Sequence, residues 1–179
     1  MKNITVKRFI LLKTQEYNFL NHIKGKDNFP KHTFSLDELT YNEVRKVERL
    51  LDTMKSFDDL KEVFKTCYKC TDKSFLNLPI TNFFQIKNFI IEKFVNLAKQ
   101  EVKLLASIDE DSELWKSIES GRLKPYGTVL PLDRLAKIYG GYPLYYGDKK
   151  YVEIIFLLKM NSTLNKVEKE FNEFKYKKK

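Results

Sequence analysis

Residues 81–107 limit the fold of this chain more than any other stretch. Their spacing predicts one helix of roughly 40 Å at 1.5 Å per residue. Its first half is apolar nearly all round, with Phe83, Phe84, Ile86, Phe89, Ile90, Ile91, Phe94 and Val95 on successive faces. A helix of that kind is stable in water only when several sides are covered. The rest of the chain must wrap it, or another subunit must share it, and the sequence leaves both open.

Enough chain exists to do the wrapping. The 179 residues are 42% hydrophobic, which excludes a fully disordered chain and suffices for one core. Upstream, Ser35-Leu-Asp-Glu38 and Thr40-Tyr-Asn-Glu43 both have capping-box form. The second is the better helix start, because Val44, Val47, Leu50, Leu51 and Met54 then share a face. Ser56-Phe-Asp-Asp59 opens another helix, with Phe57, Leu60, Val63, Phe64 and Cys67 on its apolar side. Such a short joint makes these two helices antiparallel neighbours or a sharp corner. Residues 4–12 are β-branched and apolar at the front and read as a short strand or extended arm. Thr14 caps a short helix to about Ile23, and 71–80 reads as a loop closed by Pro79.

Downstream, Asp109-Glu-Asp-Ser-Glu113 starts a short helix carrying Trp115. Pro131 opens a helix that Gly140-Gly141 ends, and an aromatic loop, Tyr142-Pro-Leu-Tyr-Tyr-Gly147, follows. The final helix, about 149–174, places Tyr151, Ile154, Ile155 and Leu158, then Leu164, Val167, Phe171 and Phe174, at helical spacing. Asn161-Ser162-Thr163 is a candidate break, and 152–158 has a competing strand reading. The expectation is a mainly α, single helical domain over 1–179. Its core is made by helices 81–107 and 149–174, with an extended basic N-terminal arm, 1–13, and a Lys-rich C-terminal end, 166–179.

The net charge is +9, and it sits at the ends: +5 over residues 1–31 and +3 over 166–179. A basic end touches nucleic acid or an acidic neighbour cheaply. Lysines outnumber arginines 28 to 5, however, and specific phosphate or base contacts favour the arginine fork. A solvated lysine surface explains the same pattern. No apolar run reaches the ~18 residues of a membrane span, and no signal-peptide pattern opens the chain. Two cysteines exclude a disulfide framework. The expected setting is therefore intracellular, or an assembly built inside a cell, without a membrane.

Candidate chemistry is thin. Cys67-Tyr-Lys-Cys70 has zinc or redox spacing, but the remaining ligands, His22 and His32, lie far upstream, and a helix rather than a strand precedes the motif. Core packing is the better reading. Asp109, Asp111 and Glu113 alternate like a calcium loop, which fails at Leu114 and Ser120. There is no P-loop, no G-x-G-x-x-G, no G-x-S-x-G and no H-E-x-x-H. No cofactor, metal or catalytic residue is expected. Tyr126, Tyr139, Tyr142, Tyr145, Tyr146 and Tyr151 cluster beside Lys149 and Lys150. They suit core packing, a protein interface, or stacking on bases or sugars.

One resemblance covers most of the chain in order. Trp115 leads to Gly121-Arg-Leu-Lys-Pro-Tyr-Gly127, Leu132-Asp-Arg-Leu-Ala136, the Tyr142-Pro-Leu-Tyr145 turn and the apolar segment 151–158. Upstream stand the 4–12 arm, the 41–67 helix pair and the Phe-rich helix. Together these resemble small virion structural proteins of tailed phages, of the crAss-like type. The resemblance implies a portal-vertex, neck-ring or head–tail connector subunit, assembled in the host cytoplasm and resident in the virion. It implies repeated copies contacting portal, capsid or ring proteins, and it transfers no catalytic residue. The expected interface residues are Lys7, Arg8, Trp115, Tyr145, Tyr146, Lys175, Lys177, Lys178 and Lys179. The competing expectation is a basic nucleic-acid-binding protein packaged with the genome. A host-directed regulator is a third.

Overall fold

The computed structural model describes residues 4–10, 18–105 and 125–177. Among these the chain is mainly α-helical. The helices are α1 (Val6–Ile10), α2 (Tyr41–Thr53), α3 (Phe57–Tyr68), α4 (Asp72–Leu76), α5 (Ile80–Leu105), α6 (Leu130–Tyr139), α7 (Pro143–Gly147) and α8 (Tyr151–Lys177), with 3-10 turns at Asn18–His22 and Leu36–Glu38. The helix expected from Asp109, with Trp115, lies outside the described residues. Two compact units form, one from Met1–Leu39 and Glu43–Ala98, the other from Thr40–Asn42 and Lys99–Lys179.

In the first unit the chain covers its own Phe-rich helix. Phe83, Phe84, Ile86, Ile90 and Phe94 of α5 are buried. Phe64 of α3 stacks on Phe83 at 5.3 Å between ring centroids and meets Phe75 of α4 edge-on at 5.1 Å. Aromatic pairs in these geometries add to the area they bury. On another side, segment 18–34 is hydrogen-bonded to α5. The Lys26 amide donates to the Gln85 carbonyl at 3.1 Å. Asn88 Nδ2 donates to the carbonyls of Asn21 and Ile23 at 3.0 and 2.5 Å, and Asn28 Nδ2 donates to Gln85 Oε1 at 2.6 Å. The approach is close enough that a Cβ on Gly25 would lie 2.7 Å from the Phe89 nitrogen.

Local signals place α3 and α4. Ser56 Oγ accepts from the Asp59 amide at 3.1 Å, while Asp59 Oδ2 accepts from the Ser56 amide at 2.9 Å. This reciprocal pair satisfies amides that the first turn leaves without partners. Ser35 forms no such cap, and a three-residue 3-10 turn follows it. Lys69 ends α3 in the left-handed region, with φ 49°. Thr71 then caps α4 through the Ser74 amide at 3.2 Å, so the expected 71–80 loop contains a helix.

The N-terminal expectation of an extended arm needs correction over 6–10, which is helical. The Val6 amide donates to the Leu78 carbonyl at 2.9 Å, and the Ile80 amide to the Ile4 carbonyl at 2.7 Å. These bonds pin 4–6 antiparallel to 78–80. Val6 is buried, and the Phe9 ring meets Phe84 edge-on at 5.9 Å. Burying these two apolar side chains on the unit gains more than extending them into water.

The second unit gathers around Leu132 and Leu135 of α6, Tyr146 of α7, and Tyr151, Ile154 and Leu158 of α8, all buried. Thr40, bridged antiparallel to Lys150, and the first two residues of α2, Tyr41 and Asn42, join it. The Tyr41 amide donates to the Lys149 carbonyl at 2.9 Å, and the Tyr41 and Tyr151 rings are nearly parallel, 6.4 Å apart. The Tyr151 hydroxyl donates to the Glu101 carboxylate. Helix α8 runs unbroken through Asn161-Ser162-Thr163. Tyr139 donates to Asn161 Oδ1 at 3.0 Å, and Thr163 Oγ1 bonds back to the Lys159 carbonyl at 3.0 Å. Two of the three polar side chains are thus partnered within the helix or by its neighbour, the Asn161 Nδ2 is buried without a partner, and neither the break nor the strand forms.

Candidate interaction surface

Two neighbouring structures in the second unit present apolar surface to solvent. The first is the corner between α6 and α7. Pro131 lies in the first turn of α6, where its missing amide costs nothing. Gly140 ends α6 at φ +82°, a conformation that favours glycine, and its amide donates to the Ala136 carbonyl at 2.9 Å. Tyr142-Pro143 then starts α7 at once, so the expected aromatic loop is partly a five-residue helix.

This corner separates the two tyrosines expected as anchors. Tyr146 is buried, and its hydroxyl donates to the Gly140 carbonyl at 2.8 Å. It ties the corner together from inside, which corrects its assignment as an interface anchor. Adjacent residues of a helix point in different directions, so Tyr145 faces out and is 57% exposed. Its ring meets Tyr146 edge-on at 5.5 Å, and Lys149 Nζ lies 4.3 Å from the ring centroid. Contact with the Tyr145 hydroxyl holds the Lys149 ammonium above its ordinary pKa. Tyr142 and Leu144, 83% and 70% exposed, extend the patch, as do Ile138 and Tyr139. Leu144 is readable from the sequence only as part of the aromatic loop, and its exposure beside Tyr142 and Tyr145 comes from the structure.

The second surface is the C-terminal half of α8. The 149–174 helix is expected to form core, with its Lys-rich end, 166–179, reaching onto neighbours; in the structure the exposure begins right after Ser162, and residues 163–176 are all exposed. Leu164, Val167, Phe171 and Phe174 line one side of it, each more than half exposed. The sequence signal was present in the 3-4-3 spacing between lysines and glutamates, a stripe narrower than a core-facing helix shows.

The basic residues divide between the units. Lys7 and Arg8 are exposed on α1 in the first, and Lys175 is exposed on α8 in the second. Lys177 is the last residue of α8. Lys178, Lys179 and Trp115 lie outside the described residues.

The cysteines sit at the corner between α3 and α4. Both are free and buried. Burial pushes the Cys67 thiol up to about 12 and raises that of Cys70. A protonated thiol is neither a good nucleophile nor a metal ligand at neutral pH. Beside them the Tyr68 hydroxyl donates to Asp27 Oδ1 at 2.9 Å, and its pKa is raised by burial and by that carboxylate. Among the described residues, no group of three His, Cys, Asp or Glu side chains is placed to hold a metal ion. No helix among them is long and apolar enough to cross a membrane. The chain matches no protein-family model, no curated protein and no solved structure.

Proposed function

We propose that this chain is a non-enzymatic assembly subunit of a tailed-phage particle, at the portal vertex, neck ring or head–tail connector. The observation that carries an assembly role is the exposed apolar stripe 164–174, on a helix whose other half is anchored in a core. Contiguous apolar surface of this kind on a soluble chain marks an interaction site. The aromatic corner at Tyr142, Leu144 and Tyr145 gives a second such surface. A subunit with two different apolar surfaces can build contacts that close into rings. The phage setting rests on the sequence resemblance around residues 115–158.

The experiment is quantitative mass spectrometry of purified particles from the phage that carries the gene. A fixed copy number per portal ring is the expected result. Absence from particles that are complete by electron microscopy would overturn the reading. The exposed Lys7, Arg8 and Lys175 favour the nucleic-acid alternative. That alternative predicts duplex-DNA binding that weakens steeply between low and physiological salt, with a slope set by the number of lysine–phosphate contacts. A subunit acting by assembly shows no such binding in the purified chain.

A further inference from the structure

The exposed stripe on α8 has a period that names its partner more closely. Leu157, Met160, Leu164, Val167, Phe171 and Phe174 follow one another at steps of three, four, three, four and three. That is the a/d repeat of a coiled coil. It is a different face from the one packed into the second unit, which uses Tyr151, Ile154, Leu158, Asn161 and Ser162. The first two residues of the stripe are half-buried, and the last four are between 51% and 68% exposed. The apolar seam therefore continues out of an established core onto a projecting helix.

The flanking charges select among partners. The lysines and glutamates that flank the stripe from 163 to 175 balance at three each, and the excess lysines fall beyond its last apolar residue, at 177–179, so the stripe itself carries no net charge for an anionic lipid surface or a nucleic-acid backbone. A second helix of mixed charge fits, and this chain supplies one. In a parallel, in-register pair, the residue before each a position meets the residue after the d position of the next repeat on the other helix. That sets Glu170 of one copy against Lys175 of the other, twice by symmetry. An antiparallel pair overlapped over the exposed part of the stripe, 164–174, brings Glu168 beside Glu168 and Glu170 beside Glu170, which repel.

We propose that two copies of this chain pair through residues 157–174 of α8 as a parallel, in-register coil, with Phe171 and Phe174 closing the C-terminal end of its seam and Glu170–Lys175 pairs flanking them. This deepens the assembly reading above and rests on it. A free helix of two repeats is too short to pair stably, since it must first become ordered. Here the helix is already held by its N-terminal half, so pairing costs little further ordering. A dissociation constant of roughly 1–100 µM follows from so short a seam.

The test uses the full chain, with nucleic acid removed, in sedimentation equilibrium over roughly 1–200 µM to span that range. A monomer–dimer equilibrium is expected. Phe171→Asp should weaken it by roughly a hundredfold, because each dimer loses two buried rings. Its circular dichroism should match the parent, since the site is exposed. Lys175→Glu should weaken pairing several-fold, and Glu170→Lys with Lys175→Glu should restore it. Leu164→Cys should cross-link to its own copy under mild oxidation. The parallel register brings the two positions within the ~6 Å that a disulfide spans, while an antiparallel pair overlapped over 164–174 separates them by ~15 Å along the axis.

A monomer at every concentration would overturn the pairing, as would an oligomer indifferent to Phe171→Asp or the absence of the Leu164→Cys cross-link. The two proposals fail separately. A chain that is monomeric in solution yet stoichiometric in particles defeats the coil alone. A dimer that is absent from particles defeats the virion assignment alone.

Discussion

Gly25 shows how one position can decide whether a segment reaches its place. An added methyl would stand 2.7 and 2.9 Å from backbone atoms of Phe89, and helix backbone in a packed unit cannot step aside. Gly25→Ala should therefore cost about 1–3 kcal/mol, read as a lower urea midpoint with an unchanged slope. An unaltered midpoint would mean that the 18–34 segment lifts from α5 at little cost. Cys67 and Cys70 make a second residue-scale case. With burial holding both thiols protonated, a thiol reagent at pH 8 should label neither in the native chain and both in urea. Rapid labelling before urea is added would show that the corner between α3 and α4 opens readily. Tyr145 and Tyr146 make a third. The sequence sets two tyrosines side by side, but which one is structural depends on which faces Gly140.

At the scale of elements, caps explain most of what sequence alone located. The Ser56–Asp59 box was readable because both partners lie within four residues, and its bonds form as the motif requires. Ser56→Ala should destabilise the chain by about 1 kcal/mol in chemical denaturation. The Lys55 and Ser56 amides and the Ser56 hydroxyl hold the Asp59 carboxyl below its ordinary pKa. Lys46 does the same for Glu62, and Lys65 for Asp72. An acid whose pKa is lowered by folding contributes stability above its unfolded pKa, and that contribution disappears as pH falls through the folded value. Thermal midpoints should thus hold steady near neutrality and drop below about pH 4. In Asp59→Asn the drop should be shallower; an identical acid limb would remove Asp59 from the explanation. Ser35-Leu-Asp-Glu38 has the same letters as a true box and yields a three-residue turn. The motif allows the cap, but an apolar face to bury must follow it.

At the scale of the whole molecule, two compact units divide the labour. The first surrounds its Phe-rich helix with its own chain, so the aromatic content there is core. The second carries both exposed apolar surfaces, and the assembly proposals belong to it. Charge at the ends, the most visible feature of the composition, proved less informative. Lys7 and Arg8 are surface residues of α1, a short helix hydrogen-bonded in place beside Leu78 and Ile80. Sequence by itself determined the helical class, the boundaries of α5 and α6 to within a residue or two, and the working cap of α3. These follow from periodicity, glycine and proline stops, and side chains that reach only a few residues along the chain. It also placed Tyr145 among candidate contacts. Tertiary structure decided that 4–6 lies against 78–80, that Tyr146 turns inward, and that α8 leaves its core after Ser162. Those outcomes depend on which surfaces of distant segments are available to be covered. An apolar stripe has the same spacing whether a neighbouring element buries it or water meets it, and the difference lies in what the rest of the chain brings to that side.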